Sequence, residues 1–313
     1  MLKYLAKRIA RSFITLFIVI TIVFSLLRLM PIEGYFSNFE KMSEEQIQRE
    51  LTRMGLTDPL PTQLVRFYGE IIQGDLGTSN RYRPGVEITE ILSTKFPLSM
   101  AFGCASMALS MLLGIPLGAL MARCKDKFPD HLGTVFIVFI NAVPSAVYYL
   151  FIQMYGTQIF GISMLFSRSN PATWILPVIS LSLGDIAYYG MWLRRYMVDE
   201  SNKDYVKLAR AKGVNSKDIM MKHVFRNAFV PLVQYIPTSL LLTMVGSIYV
   251  ESLYSIPGMG GLLVTAIQSQ DNTLVQALVI IYATISIIGL ILGDVFMTLV
   301  DPRISFAKKE GAR

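Results

Sequence analysis

The residues that could do chemistry are few, and their types argue against catalysis in this chain. There are two histidines, His131 and His223, and two cysteines, Cys104 and Cys124. The sequence has no GxxxxGK[ST] phosphate cradle, no HExxH and no GxSxG. No set of His, Cys and carboxylate residues has the spacing of a metal site. On a shared helix the two cysteines would lie about 30 Å apart at roughly 1.5 Å per residue, well beyond the roughly 7 Å that a disulfide spans. What remains is a supply of carboxylates and basic side chains, suited to recognition and mechanical work. The densest such stretch is 194–228, RRYMVDESNKDYVKLARAKGVNSKDIMMKHVFRNA.

The elements that must position this stretch are apolar. The 313 residues are 53% hydrophobic and only 16% charged, against about a quarter charged in a soluble domain. The net charge of +7 does not gather in one patch. Basic residues alternate with apolar runs and no basic–aromatic platform occurs, so nucleic acid is not an expected partner. The apolar runs are 12–27, 97–122, 133–160, 174–193, 229–250 and 274–300. Crossing about 30 Å of hydrocarbon takes roughly 20 residues, so the expectation is an all-α integral membrane protein with six transmembrane helices. The first run continues to Met30 and Pro31 without a small-residue cleavage site, as a retained span does and a signal peptide does not. Pro116, Pro144, Pro177 and Pro237 lie within spans, where they kink helices. Gly114 and Gly118 form a GxxxG pair suited to close helix packing.

The charge pattern orients these spans. Segments 1–11, 123–133, 194–228 and 301–313 together hold twenty of the 29 Lys and Arg residues. Segments 32–96, 161–173 and 251–273 hold eight, and Arg28 lies in the first span. The positive-inside rule then puts both termini and 194–228 in the cytoplasm. The expected organisation is an N-terminal end with the first span (1–31), a sizeable external region (32–96) and a core (97–313). The core contains the loop 194–228 and an external loop 251–273. Within 32–96, residues 43–54 read as an amphipathic helix stopped by Gly55, and 74–85 as a structured turn.

Residues 194–228 read as two short helices joined at a glycine. Ser201 with Asp204 is spaced as an N-terminal cap. Tyr205, Leu208, Ala209 and Lys212 follow helical spacing, Gly213 is a C-terminal stop, and Asn215 or Ser216 caps a second helix carrying Ile219, Met220, His223 and Val224. Charged residues inside spans are functional candidates. Asp185 either faces a hydrated path or bonds a neighbouring helix. Asp294 is expected to pair with a basic residue, and Arg28 and Glu251 to snorkel or cap near the outer interface.

Tyr205-Val206, Ala209-Arg210-Ala211-Lys212-Gly213 and His223 with Arg226-Asn227-Ala228 resemble the coupling loop of binding-protein-dependent ABC importer permeases, in the oligopeptide/dipeptide/nickel branch. The broader family opens this loop with Glu-Ala-Ala where this chain has Lys207, Leu208 and Ala209. Gly74-Asp75-Leu76-Gly77-Thr78-Ser79 is similar to the branch's external signature. Pro257-Gly258-Met259-Gly260 with Asp271 is similar to its last external loop, and Asp301-Pro302-Arg303 to its ending. One departure is Met191, where the branch often has an arginine.

The resemblance implies a type I ABC importer permease of the bacterial or archaeal plasma membrane, non-catalytic and without a cofactor of its own. It implies four kinds of partner: a homologous second permease that completes the pore, two ATP-binding subunits that hold ATP and magnesium, an external solute-binding protein and the lipid bilayer. The substrate would be a di- or oligopeptide, with a nickel complex or other small solute as the alternative within the branch and a secondary transporter as the alternative outside it. Tyr205, Leu208, Ala209, Arg210, Ala211, Lys212, Gly213, His223, Arg226 and Asn227 would then couple to the ATPase. Asp185, Met191, Glu251, Pro257 and Gly258 would belong to the pathway or gate, and Gly74, Asp75, Gly77 and Asp271 would face the binding protein.

Overall fold

The computed structural model describes residues 2–36 and 38–300, and these form helices joined by short turns. In chain order the helices are α1 (Leu2–Leu27), α2 (Glu44–Arg53), α3 (Leu60–Ile72), α4 (Ile88–Arg123), α5 (Phe128–Ala142), α6 (Ser145–Phe160) and α7 (Ile175–Ser201). There follow α8 (Asp204–Ala211), α9 (Ser216–Asp218), α10 (Arg226–Met244), α11 (Ile248–Leu253), α12 (Met259–Gln268) and α13 (Asn272–Val300). Among the described residues five helical stretches are long and apolar enough to span a membrane, and the bent pair α5–α6 makes a sixth.

That bent pair corrects the expectation of one continuous span over 133–160. The two helices meet at 107°. Val143 has φ −87° and ψ 129°, the extended backbone that a following proline imposes, and Pro144 starts the next helix without an N–H to satisfy. The expected span 229–250 also ends early. The chain leaves the helix at 245–247, where Gly246 has φ +96°, and α11 begins beyond it.

Glycine sets the closest helix approach. A Cβ on Gly114 would sit 3.0 Å from the Ile186 carbonyl, and one on Gly118 2.7 Å from that of Gly190. α4 and α7 therefore pack backbone to backbone, as small-residue interfaces in membranes do. Gly289 and Gly293 do the same for α13 against α10. Around this core, α1 lies against α13, and α3 leans on α1 through stacked Phe24–Phe67 and Phe17–Tyr68 rings 4.7 and 4.9 Å apart. α2 has the expected form: Ser43 and Gln46 make a reciprocal capping box, and Gly55 turns with φ +66°. Both cysteines are free.

Gly118→Val should lower stability by about 1–3 kcal/mol, the usual cost of overpacking a close contact, read as a fall in Tm of the purified protein in detergent. Gly69→Ala, whose Cβ meets nothing within 4 Å in mid-helix, should be neutral or raise Tm. Equal effects would mean that the α4–α7 approach is not the tight one.

A candidate coupling site

The stretch 194–228 folds as an elbow at one end of the bundle. Its first arm is α8. The expected Ser201 cap does not form. Ser201 is the last residue of α7 and its hydroxyl donates to the Val198 carbonyl, while Lys203 stands at the N-cap without a side-chain bond. Gly213 stops α8 with φ +77°. The Val214 N–H reaches back to the Ala209 carbonyl and the Gly213 N–H to that of Arg210, at 3.1 and 3.0 Å. This is the double closure of a glycine C-terminal cap.

The second arm starts at α9, where the Asn215 side chain accepts the Lys217 N–H. It then passes through a π-helical turn, Ile219–Phe225, directly into α10. The expected second helix is thus the opening of the next span, and the elbow and α10 form one continuous rod.

The keel of the elbow is Val206, fully buried with Ile219, Val224 and Ala228 against Leu193 and Met197 of α7. Sequence spacing placed the ridge on Tyr205, Leu208, Ala209 and Lys212 instead. Tyr205 and Leu208 are 37% and 56% exposed and Lys212 is exposed, so that ridge is largely the outer face, with only Ala209 half-buried. The five-residue step from Ile219 to Val224 is a π spacing, and both residues, expected on the second helix, are buried. Val206 itself was legible, three residues before Ala209 on the same face.

Tyr205 clasps the two arms. Its hydroxyl donates to Glu200 Oε1 at 2.6 Å, lies 3.2 Å from the His223 carbonyl, and accepts from Asn227 Nδ2 at 2.9 Å. Burial, and then the Glu200 carboxylate, raise the phenol above its ordinary pKa, so it stays a donor. Arg210, Ala211, Lys212, Gly213, Arg226 and Asn227 are all exposed beside Leu208. The result is an apolar and basic face on a clasped hairpin, suited to a partner surface. Beneath it, Arg194 makes two bonds to the buried Asp130, at 2.5 and 2.6 Å, tying α7 to the start of α5.

The other candidates do not converge with the elbow. Asp185 accepts from Tyr235 and Ser239 of α10 at 3.2 and 2.9 Å, so it bridges α7 and α10. Met191 packs with Met121, Ile137 and Ile140. It is half-buried there, between α7 and the α4–α5 side of the bundle. Asp294 accepts from the Gln234 amide at 2.8 Å. Arg28 lies over the Phe24 ring and donates to Tyr35.

At the opposite end, Pro257 is exposed and Gly258 buried. Glu251 is 3% exposed, accepts from Ser99 and accepts the Gly261 N–H in the first turn of α12, so of the two expectations it caps and does not snorkel. Gly74 and Asp75 are exposed, and Asp75 accepts the Gly77 N–H at 2.8 Å. Asp271 is fully buried, so the expectation that it faces a partner is also corrected. Its carboxylate points inward and collects the N–H groups of the 80–82 turn. The ending Asp301-Pro302-Arg303 lies outside the described residues.

Residues 114–306 match the family model "Binding-protein-dependent transport system inner membrane component", and residues 1–100 match its N-terminal component. The chain belongs to this permease family. It is a multi-pass protein of the cell membrane and the membrane subunit of an ATP-driven importer. Family membership implies a companion permease, ATP-binding subunits and a solute-binding protein. A dipeptide transport system permease protein from Lactococcus lactis subsp. cremoris is 32% identical over 97% of this chain and 99% of its own. Its Bacillus subtilis counterpart is 29% identical over 99% of this chain and its full length. Among solved structures, an amino acid ABC transporter shares the fold with a TM-score of 0.51 at 18% identity, covering 69% of this permease and 95% of that chain. The MetNI methionine transporter gives 0.50 at 16%, covering 68% and 97%.

Tyr205→Phe should loosen the elbow without unfolding the bundle. One hydroxyl lost at a half-exposed site costs about 1 kcal/mol. The expected outcome is hydrogen exchange roughly fivefold faster in amides 203–213 with Tm nearly unchanged. Unaltered exchange there would remove the clasp from the account.

Proposed function

We propose that this permease carries di- or oligopeptides, delivered by an external binding protein, through a pathway shared with a second, homologous permease. The observation that supports the substrate class is the end-to-end likeness to dipeptide permeases: 32% identity over 97% of this chain and 99% of the relative. The chain itself hydrolyses nothing. ATP and magnesium belong to two partner ATPases, and the elbow is the surface on which one of them acts. Both termini and the elbow lie in the cytoplasm. The segments around Gly74, Asp75 and Gly77 lie outside, in the region that receives the binding protein. In this reading 1–31 anchors the chain, 32–96 is the external region and 97–313 the conducting core.

The geometry gives this proposal its mechanics. ATP-driven closure moves the ATPase grooves together, a rigid-body motion of the kind that drives many transporters. Leu208, Tyr205 and Arg210 offer an apolar anchor and a charge to such a groove. The Tyr205 clasp and the Val206 keel stop the hairpin from flexing. The π-turn carries the displacement into α10, and Asp185 carries it from α10 to α7.

The test is ATP hydrolysis by the reconstituted complex with and without loaded binding protein. Gly213→Asp forces a side chain into a left-handed backbone at a cost of about 1 kcal/mol, with open space around its Cβ. Arg210→Glu reverses one exposed charge. Both should assemble, and both should lose most of the stimulation by loaded binding protein and most peptide uptake. Normal stimulation and uptake in both variants would sink the coupling role.

A further inference from the structure

α12 is a ten-residue helix held at each end by a buried carboxylate. Its N-cap, Gly258, brings no side chain, so the first N–H groups must be met from elsewhere. Met259 N–H donates to Ser99 Oγ at 2.8 Å and Gly261 N–H to Glu251 Oε2 at 3.0 Å, while Ser99 Oγ donates to Glu251 Oε1 at 2.6 Å. α4, α11 and the start of α12 are thereby tied in one small network. Beyond the other end, Asp271 Oδ2 accepts from Ser79 Oγ at 2.6 Å and from the N–H groups of Asn80, Arg81 and Tyr82 at 3.0, 3.0 and 3.1 Å. Its Oδ1 accepts the Leu274 N–H at 3.1 Å.

The two ends are built differently. Around Asp271, five donors converge on one carboxylate in a corner packed by Leu262, Ala266, Leu274, Ile88 and Ile91. Glu251 sits on the short helix α11, and the chain leaves regular helix on both sides of it, at 245–247 and 254–258. Gly246 has φ +96° and Ser255 has φ +54°. A Cβ on Gly246 or Gly258 would strike Glu251, and one on Gly260 would lie 2.8 Å from the Ile248 nitrogen. Backbone outside a helical ladder can rotate without breaking that ladder. Beside Glu251 a recess of about 390 Å³ opens between Lys95, Pro257, Thr265 and Gln268.

We propose that α12 is a lever with unequal ends. Asp271 fastens it to the 79–82 turn, so that load on the outer loop moves α12. Glu251 is the end that lets go when the outer mouth of the pathway opens. Both are positioning residues that need not touch the transported solute. The proposal rests on the reading of this chain as a permease that receives its solute from a binding protein at the 74–87 face.

The assembled complex in proteoliposomes tests this, because the two ends should give effects of opposite sign. Ser99→Ala and Glu251→Gln should raise ATP hydrolysis in the absence of binding protein by about tenfold or more, the factor carried by one hydrogen bond to a charged group. Loaded binding protein should then add little. Asp271→Asn should cut stimulation by loaded binding protein at least about fivefold on the same scale, without raising the basal rate. A second measurement needs no variant. In the wild-type complex, loaded binding protein plus a non-hydrolysable ATP analogue should speed hydrogen exchange at amides 259–261 and leave 80–82 protected. Effects of the same sign in the two sets of variants, or faster exchange at 80–82 with 259–261 unchanged, would overturn the lever. A wild-type complex that no binding protein stimulates would overturn the importer reading itself, and the lever with it.

Discussion

In hydrocarbon a backbone N–H or C=O finds no water, so a chain can leave helical geometry only where another group catches what the helix releases. The departures in this protein follow that constraint. At the start of α12 the catching groups are Ser99 and Glu251, and at the α12–α13 corner the group is Asp271. Near the end of α6 the buried Gln153 amide donates to the Met164 and Leu253 carbonyls at 3.1 and 2.7 Å. The α5–α6 break falls at a proline, which has no N–H to lose. Ser99, Glu251, Gln153 and Asp271 thus satisfy backbone that must turn, whereas Asp185 and Asp294 bond side chains of α10.

The same constraint explains what the sequence made legible. Most of the long apolar runs, the GxxxG pair, the amphipathic helix over 43–54 and the Gly213 stop each carry a local physical signature and form as expected. Tertiary partners carry none. Glu251 and Asp271 look like exposed loop carboxylates because their donors lie 152 and 192 residues away, at Ser99 and Ser79. Met191 gave no sign in the sequence that it packs with Met121, Ile137 and Ile140. The elbow's ridge was misplaced because nothing within α8 shows which of its faces meets Leu193 and Met197 of α7. The Ser201 cap failed because α7 runs on through Ser201, leaving its hydroxyl inside a helix where it bonds back to Val198.

Placed together, the elements describe a path for force. The elbow has a buried keel and a tyrosine clasp, and its second arm continues without a break into α10. α10 is tied to α7 at Asp185 and packs closely on α13 through Gly289 and Gly293. α7 is locked to α4 through Gly114 and Gly118 and to α5 through Arg194 and Asp130. α13 begins at the Asp271 corner. In the proposed mechanism displacement at the elbow would reach the opposite end of the bundle through these helices, and between α10 and α12 the chain leaves helix at 245–247 and 254–258.

The central claim is that the elbow and α10 move as one body. The direct measurement is the distance between spin labels at Lys207→Cys and Leu242→Cys, both exposed in this chain and neither among the anchoring side chains, in an assembled complex whose native Cys104 and Cys124 have been replaced. The account predicts that this distance stays constant between the nucleotide-free and ATP-bound states, while the distance from Lys207→Cys to the matching elbow of the companion permease shortens. A 207–242 distance that changes between states as much as the elbow-to-elbow distance would contradict it.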